Sequence, residues 1–221
     1  MVILDADQST PLSAWPASCL RLAYLSVGEA EDRRPYWTRI AGAAYLHEQD
    51  KESEGNVRVD FRDPQWQSLL LKEEIPRILA KGYQGFLLDQ LDSIFYLEAK
   101  DPETYAGNRD ALKAWLADLR RAYPDLILLA GGSQSLDVAA PHVDGYLLDG
   151  VFTVWDPAGR RVRATTREER DERLDFLDNA MAIAPHPVFT VEYGDAQNPA
   201  LIESTLAESR KRRFHTAIQR K

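Results

Sequence analysis

The chain has 221 residues, with 27 Lys and Arg against 35 Asp and Glu, for a net charge of −8. That length suits one α/β domain with a full core, and no apolar run approaches the roughly 18 residues that a membrane span requires. The acidic balance disfavours a phosphate backbone as the main partner and suits a neutral or cationic one, so nucleic acid and membrane insertion are both set aside. Cys19 is the single cysteine, which excludes an internal disulfide and a multi-cysteine metal site. His47, His142, His186 and His215 are scattered without metal-ligand spacing, so the sequence calls for no metal and no cofactor. The opening Met1-Val2-Ile3-Leu4 is too short, and lacks the basic start, of a signal peptide.

In chain order, Val2–Asp5 reads as a short strand and Leu20–Val27 as the longest one. The latter runs into Ser26-Val27-Gly28-Glu29-Ala30-Glu31-Asp32, a dense acidic strand end where Gly28 permits close backbone approach. Tyr36 and Trp37 follow a charged segment, which makes them better candidates for sugar stacking than Trp66, whose place on an amphipathic helix suggests core packing. Val57–Phe61 is a weaker apolar run, read as a loop. Pro64–Lys81 is helical with Gly82 as its stop, and Pro76 should kink or split it. Gly85–Asp89 is a strand, with Asp92 just beyond it. Asn108–Tyr123 is a helix with Asn108 at its N-cap. Leu126–Ala130 and Gly145–Asp149 are strands, and Gly131-Gly132-Ser133 is a plain turn. Trp155–Arg163 reads as a loop punctuated by Pro157 and Gly159. Thr166 and Glu169 form a capping box that opens a helix to about Ala184. Val188–Glu192 is a strand followed by Tyr193, Asn198-Pro199 opens the last helix, and a final short strand lies near Phe214–Ile218. The basic Arg210–Arg213 run suits a helix C-terminus rather than a nucleic-acid patch. Apolar runs alternating with amphipathic stretches predict a parallel sheet with crossover helices.

One phrase occurs twice: Gly85-Phe86-Leu87-Leu88-Asp89 and Gly145-Tyr146-Leu147-Leu148-Asp149, each an apolar strand ending on a carboxylate. The copies begin 60 residues apart (145 − 85), and a barrel βα unit takes about 30 residues, so they should be alternate strands filling the same interior layer. Barrel enzymes carry catalytic groups at strand C-termini, which would bring Glu29, Glu31, Asp89, Asp92, Asp149 and Glu192 to one mouth. Carboxylates sharing a cleft push some pKa values upward, leaving one as an acid while another is ionised. The structural alternative assigns the strand-end Asp residues to caps, and Glu29 or Glu31 to ion pairs with Arg33, Arg34 or Arg58.

Ala23–Glu31, Val59–Gln67, Gly82–Ser93, Asp144–Phe152 and Val188–Tyr193 together resemble the endo-α-1,4-polygalactosaminidase family of glycoside hydrolases. The resemblance runs in order over nearly the whole chain. It implies a (β/α)₈ TIM barrel, a retaining hydrolase of α-linked galactosamine polymers, and secretion as an allowed location. Asp89 matches the family's strand-four Asp, the expected nucleophile. Asp149 stands where the family has a Glu and would serve as acid/base, with Glu192 as the other choice. That shorter side chain withdraws the carboxyl by over an ångström, a displacement worth about a hundredfold in rate, and biases the carboxylate gap above the roughly 5 to 5.5 Å of a retaining enzyme. Glu29, Glu31, Tyr36, Trp37, Asp92 and Tyr193 are the expected substrate contacts, the acidic ones attracting cationic galactosamine units. Gly131-Gly132 replaces a more polar segment of the family. The chain begins at the family's second strand, so the first is expected to be missing, and an open barrel edge would suit a homo-oligomer. The competing reading is a catalytically weak barrel that binds a glycan or a protein.

Overall fold

The structure, a computed structural model, describes residues 1–8, 11–51 and 53–220. It comprises two compact units, Met1–Leu129 and Ala130–Lys221. The chain passes from one to the other inside a strand, and no linker separates them.

The first unit contains β1 (Val2–Leu4), β2 (Arg21–Ser26), β3 (Glu29–Glu31), β4 (Leu46–Gln49), β5 (Asn56–Val59) and β6 (Gly85–Asp89), and it begins β7 (Ile127–Gly131). β1, β2 and β6 pair in parallel, with Leu22 opposite Gly85 and Ser26 opposite Asp89. β6 is apolar on both faces, as a parallel strand covered on both sides must be. β3, β5 and β4 form a separate antiparallel sheet. The expected loop over Val57–Phe61 is therefore partly a strand, Asn56–Val59, but one outside the parallel set. Among the described residues seven strands follow the βα alternation: β1, β2, β6, β7, and in the second unit three more.

The first unit's helices are α1 (Trp37–Ile40), α2 (Pro64–Leu69), α3 (Ile75–Leu79), α4 (Leu91–Lys100), α5 (Pro102–Tyr105) and α6 (Asn108–Ala122). The split expected at Pro76 takes a specific form: α2 and α3 are joined by one π-turn, Leu70–Glu74, just before the proline. Pro76 has no N–H to donate to the preceding turn, and widening that turn accommodates the missing bond without breaking the helix. Asp63 caps α2 by accepting from the Gln65 N–H at 2.7 Å. The cap expected at Asn108 belongs instead to Gly107, at φ 92°, and Asn108 is the buried first residue of α6. The carboxylate of Glu98 accepts the Gly107 and Arg109 N–H groups at 3.3 and 2.8 Å, filling that role. Leu112, Trp115, Leu116 and Leu119 repeat at helical spacing and form the buried face of α6.

The second unit holds α7 (Leu136–Ala139), β8 (Gly145–Asp149), β9 (Thr153–Asp156), β10 (Arg161–Ala164), α8 (Arg167–Ile183), β11 (Val188–Gly194), α9 (Pro199–Lys211) and β12 (His215–Arg220). β8, β11 and β12 are parallel, and β9 with β10 is an antiparallel hairpin where a loop was expected. The capping box on α8 and the Asn198 cap on α9 are both present. Tyr146 is fully buried, and its hydroxyl donates to the Ala184 carbonyl at 2.7 Å, tying β8 to the end of α8.

Candidate active site

Asp89 closes β6 in the first unit, half-buried, and is held from several sides. Its carbonyl accepts the Val27 N–H at 2.9 Å, and its Oδ1 accepts the N–H of Gln90 at 2.9 Å. Gln90 sits in the left-handed region at φ 59°, uncommon outside glycine, and such strain gathers at functional positions. Gly28 makes the close approach possible: a Cβ there would lie 2.1 Å from the Gln90 carbonyl oxygen. Trp66, fully buried as expected of a core residue, donates its Nε1–H to the Val27 carbonyl at 2.9 Å and fixes the same turn. Tyr24, in β2, has its hydroxyl proton held firmly, first by burial and then by the charges of Asp89 and Glu31.

The acidic residues after β2 do not line a solvent-facing mouth. Glu29 is fully buried; it accepts from Asn56 Nδ2 at 2.8 Å and from the Ser93 hydroxyl, with Arg58 Nε 3.9 Å away. Glu31 is 1% exposed and paired with Arg33 and Arg34. The ion-pair alternative with Arg33, Arg34 and Arg58 describes both, since a buried carboxylate must be compensated. Tyr36 is also buried; its hydroxyl accepts the Glu31 N–H at 3.1 Å and its ring meets Trp66 edge-on at 5.6 Å. These three, expected as substrate contacts, are interior residues that shape the turn beside Asp89. Trp37 and Asp92 remain half-exposed, at the starts of α1 and α4.

In the second unit Asp149 ends β8 and Gly150 follows at φ 65°, its N–H donating to the Val191 carbonyl at 2.9 Å. The Asp149 side chain reaches solvent, yet protein atoms crowd its carboxyl. That desolvation, and after it the charge of Glu192, pushes its proton affinity above the ordinary carboxylate range. Contact with water moderates the size of the shift and leaves its direction unchanged. Tyr193, half-buried on the neighbouring strand, is raised by burial and by Asp149.

Glu192 is different in kind. It lies on the buried face of β11 with Val188, Thr190 and Gly194, and none of its surface is exposed. Its Oε1 accepts the Val151 N–H at 3.2 Å, and its Oε2 accepts the Phe152 N–H at 3.0 Å, the Thr153 N–H at 2.8 Å and the Thr153 hydroxyl at 3.1 Å. A carboxylate so engaged organises a loop and is poorly placed to exchange protons with a substrate. The sequence reading passed over Thr153, whose signal is a polar β-branched residue four positions beyond the strand-end Asp149. Among the described residues there is no cluster of His, Cys, Asp and Glu fit to hold a metal.

The sequence profile of glycoside-hydrolase family GH114 matches residues 3–221. An uncharacterised protein of Deinococcus radiodurans is 28% identical over 95% of this chain and 69% of its own length. Another, from Methanocaldococcus jannaschii, is 31% identical over 81% of this chain and 53% of its own. The present chain thus spans from about half to two thirds of the length of these curated relatives. Among solved structures, the glycoside hydrolase domain of PelA from Pseudomonas aeruginosa aligns with TM-score 0.74 at 24% identity, covering 90% of this chain and 77% of that one. Ega3 from Aspergillus fumigatus, solved in complex with galactosamine, aligns with TM-score 0.65 at 16% identity, covering 92% and 76%. These likenesses establish the fold as a TIM-barrel-like α/β one, with seven parallel strands among the described residues. The resemblance carried by the repeated Gly-x-Leu-Leu-Asp strands and the segments around them is borne out, and the chain belongs to glycoside-hydrolase family GH114.

Proposed function

We propose that this protein is a retaining endo-glycosidase acting on an α-linked galactosamine polymer, with Asp89 as nucleophile and Asp149 as acid/base. The observation that carries the assignment is the contrast between the second unit's two carboxyl groups. Asp149 reaches solvent and holds its proton unusually well, whereas Glu192 is buried under four hydrogen bonds. A general acid must be accessible and must hold its proton, and of the two groups Asp149 is the one that reaches solvent while burial and the charge of Glu192 raise its proton affinity. Asp89, held by Val27, Gln90 and the Gly28 turn, has the fixed position a nucleophile needs.

In the first step a carboxylate oxygen of Asp89 bonds to the anomeric carbon, the glycosidic C–O bond breaks, and the departing oxygen takes the Asp149 proton. In the second, the Asp149 carboxylate accepts a proton from water as the water oxygen displaces Asp89, restoring both groups and the original anomeric configuration. The galactosamine preference rests on family membership and on the galactosamine complex of the Ega3 neighbour.

The test uses α-galactosaminyl fluoride, whose leaving group needs no acid, and Asp149→Ala, which lacks the base for the second step. The expected result is a galactosaminyl ester on the peptide containing Asp89, seen by mass spectrometry. An adduct on another carboxylate would displace Asp89 from its role, and complete absence of an adduct with intact binding would remove the retaining mechanism.

A further inference from the structure

We propose that Glu192 is a positioning residue for Asp149: its buried carboxylate gathers the backbone of Val151–Thr153 and thereby fixes the chain that leaves β8 at Asp149. This deepens the functional reading above and rests on Asp149 being the acid/base. Three consecutive backbone N–H groups converge on one carboxylate, a concave arrangement that a chain adopts around an anion. Here the anion is built in. The four donors come from Val151, Phe152 and Thr153, all buried, so removing the acceptor would leave them unpaired inside the protein.

Both ends of the loop are fastened. Upstream, the Gly150 N–H is held by Val191, the residue before Glu192, so β11 secures the positions on either side of the turn. Gly150 is also confined sterically: at φ 65°, a Cβ would stand 3.0 Å from Val154 Cγ1 and 3.2 Å from the Thr153 carbonyl oxygen. Downstream, the Thr165 hydroxyl and N–H donate to the carbonyls of Val151 and Phe152, each at 2.9 Å. Asp149 is the last residue before this clamped turn, and its side-chain direction follows from the turn.

The same carboxylate acts on Asp149 through its charge. Burial raises the proton affinity of Glu192, and the hydrogen bonds from Thr153, Phe152 and Val151 oppose that rise without reversing it. Burial comes first in raising Asp149, negative charge on Glu192 adds to it, and Asp149 in turn helps to raise Tyr193 at the next position on β11. Glu192 thus supplies geometry and charge, and two substitutions distinguish the loss of both from the loss of geometry alone. Glu192→Gln removes the charge and turns donors toward donors. Gly150→Ala disturbs the turn and leaves every charge in place.

The experiment follows the Asp149 carboxyl by carbon-13 NMR against pH, without substrate, alongside the pH profile of kcat/KM on the galactosamine polymer. Glu192→Gln should lower the Asp149 midpoint and move the alkaline limb of activity by the same amount, with kcat down about tenfold to a hundredfold and KM little changed. Glu192→Asp should restore the midpoint, and Gly150→Ala should lower kcat with the midpoint in place. An unmoved Asp149 midpoint in Glu192→Gln, or wild-type kcat in Gly150→Ala, would overturn the proposal. If Glu192→Gln does not fold, the Gly150→Ala and Glu192→Asp outcomes decide. A shifted midpoint in a protein that hydrolyses nothing would instead contradict the functional reading and leave the structural coupling standing.

Discussion

Arg34→Met should be among the most damaging single changes outside the apolar core. The Arg34 side chain is 7% exposed; its Nη1 contacts Asp5 Oδ1 at 2.5 Å and Asp7 Oδ2 at 3.3 Å, while its Nε binds Glu31. It joins the residues after β1 to those after β3. Methionine fills much of the volume but leaves Glu31, 1% exposed, with only Arg33 for compensation. Removing one partner of a buried pair costs about 3–5 kcal/mol because an uncompensated charge stays inside. For a chain of this size about 2–4 °C accompanies each kcal/mol, so the thermal midpoint should fall by at least about 6 °C. Differential scanning calorimetry on Arg34→Met, Glu31→Gln and the double variant provides the assay. The double variant should be more stable than Arg34→Met alone, because the stranded charge is gone. A loss below about 1 kcal/mol for Arg34→Met, or strictly additive effects, would show that water already solvates Glu31 and would refute the reasoning.

Gly28→Ala should lower both soluble yield and activity, since a Cβ 2.1 Å from the Gln90 carbonyl forces apart the turn that holds Asp89; expression with wild-type thermal stability would contradict that packing. Burial works against ionisation of Asp7, but the hydrogen bonds from Arg77 and Lys81 outweigh it and hold its carboxyl well below the ordinary range. A depressed folded pKa contributes stability above the unfolded value of about 3.9 and loses it as pH falls below, so the urea midpoint should drop between about pH 4 and 2. Asp7→Asn should flatten that decline; an unchanged slope would assign it to other carboxylates. Asp89→Asn should abolish turnover while moving the thermal midpoint by no more than a few degrees, because an amide oxygen still accepts the Gln90 N–H. A large loss of stability would mark Asp89 as structural.

The central parallel strands β6 and β8 were legible because each is a short apolar run covered on both faces, and Gly85–Asp89 and Gly145–Asp149 have the bounds read from the sequence. The antiparallel sheet was not, since Glu29-Ala-Glu31 and Leu46-His-Glu-Gln49 carry no apolar alternation. Their stability comes from partners distant in sequence, such as Asn56 and Ser93 on Glu29. Pro157 and Gly159 correctly marked a turn, but the arms beside them, Thr153–Asp156 and Arg161–Ala164, are too short and too charged to read as strands. At the site, residue type located carboxylates without telling their environments. Glu29, Glu31 and Glu192 look like mouth residues in one dimension, and whether a carboxylate faces water or a ring of donors is decided by tertiary contacts. Asp89 and Asp149 stood out through their repeated strand context, a local feature that sequence retains.

The most direct test of the account is release of reducing ends from partially deacetylated galactosaminogalactan by the purified protein, with Asp89→Asn and chitosan as controls. The account predicts release by the wild-type protein, none by Asp89→Asn at matched folding, none from chitosan, and faster release by Asp149→Glu, which returns the acid to the family's reach. No release by wild-type protein or by Asp149→Glu, with both folded and still binding the polymer, would contradict hydrolysis and leave a barrel that only binds glycan.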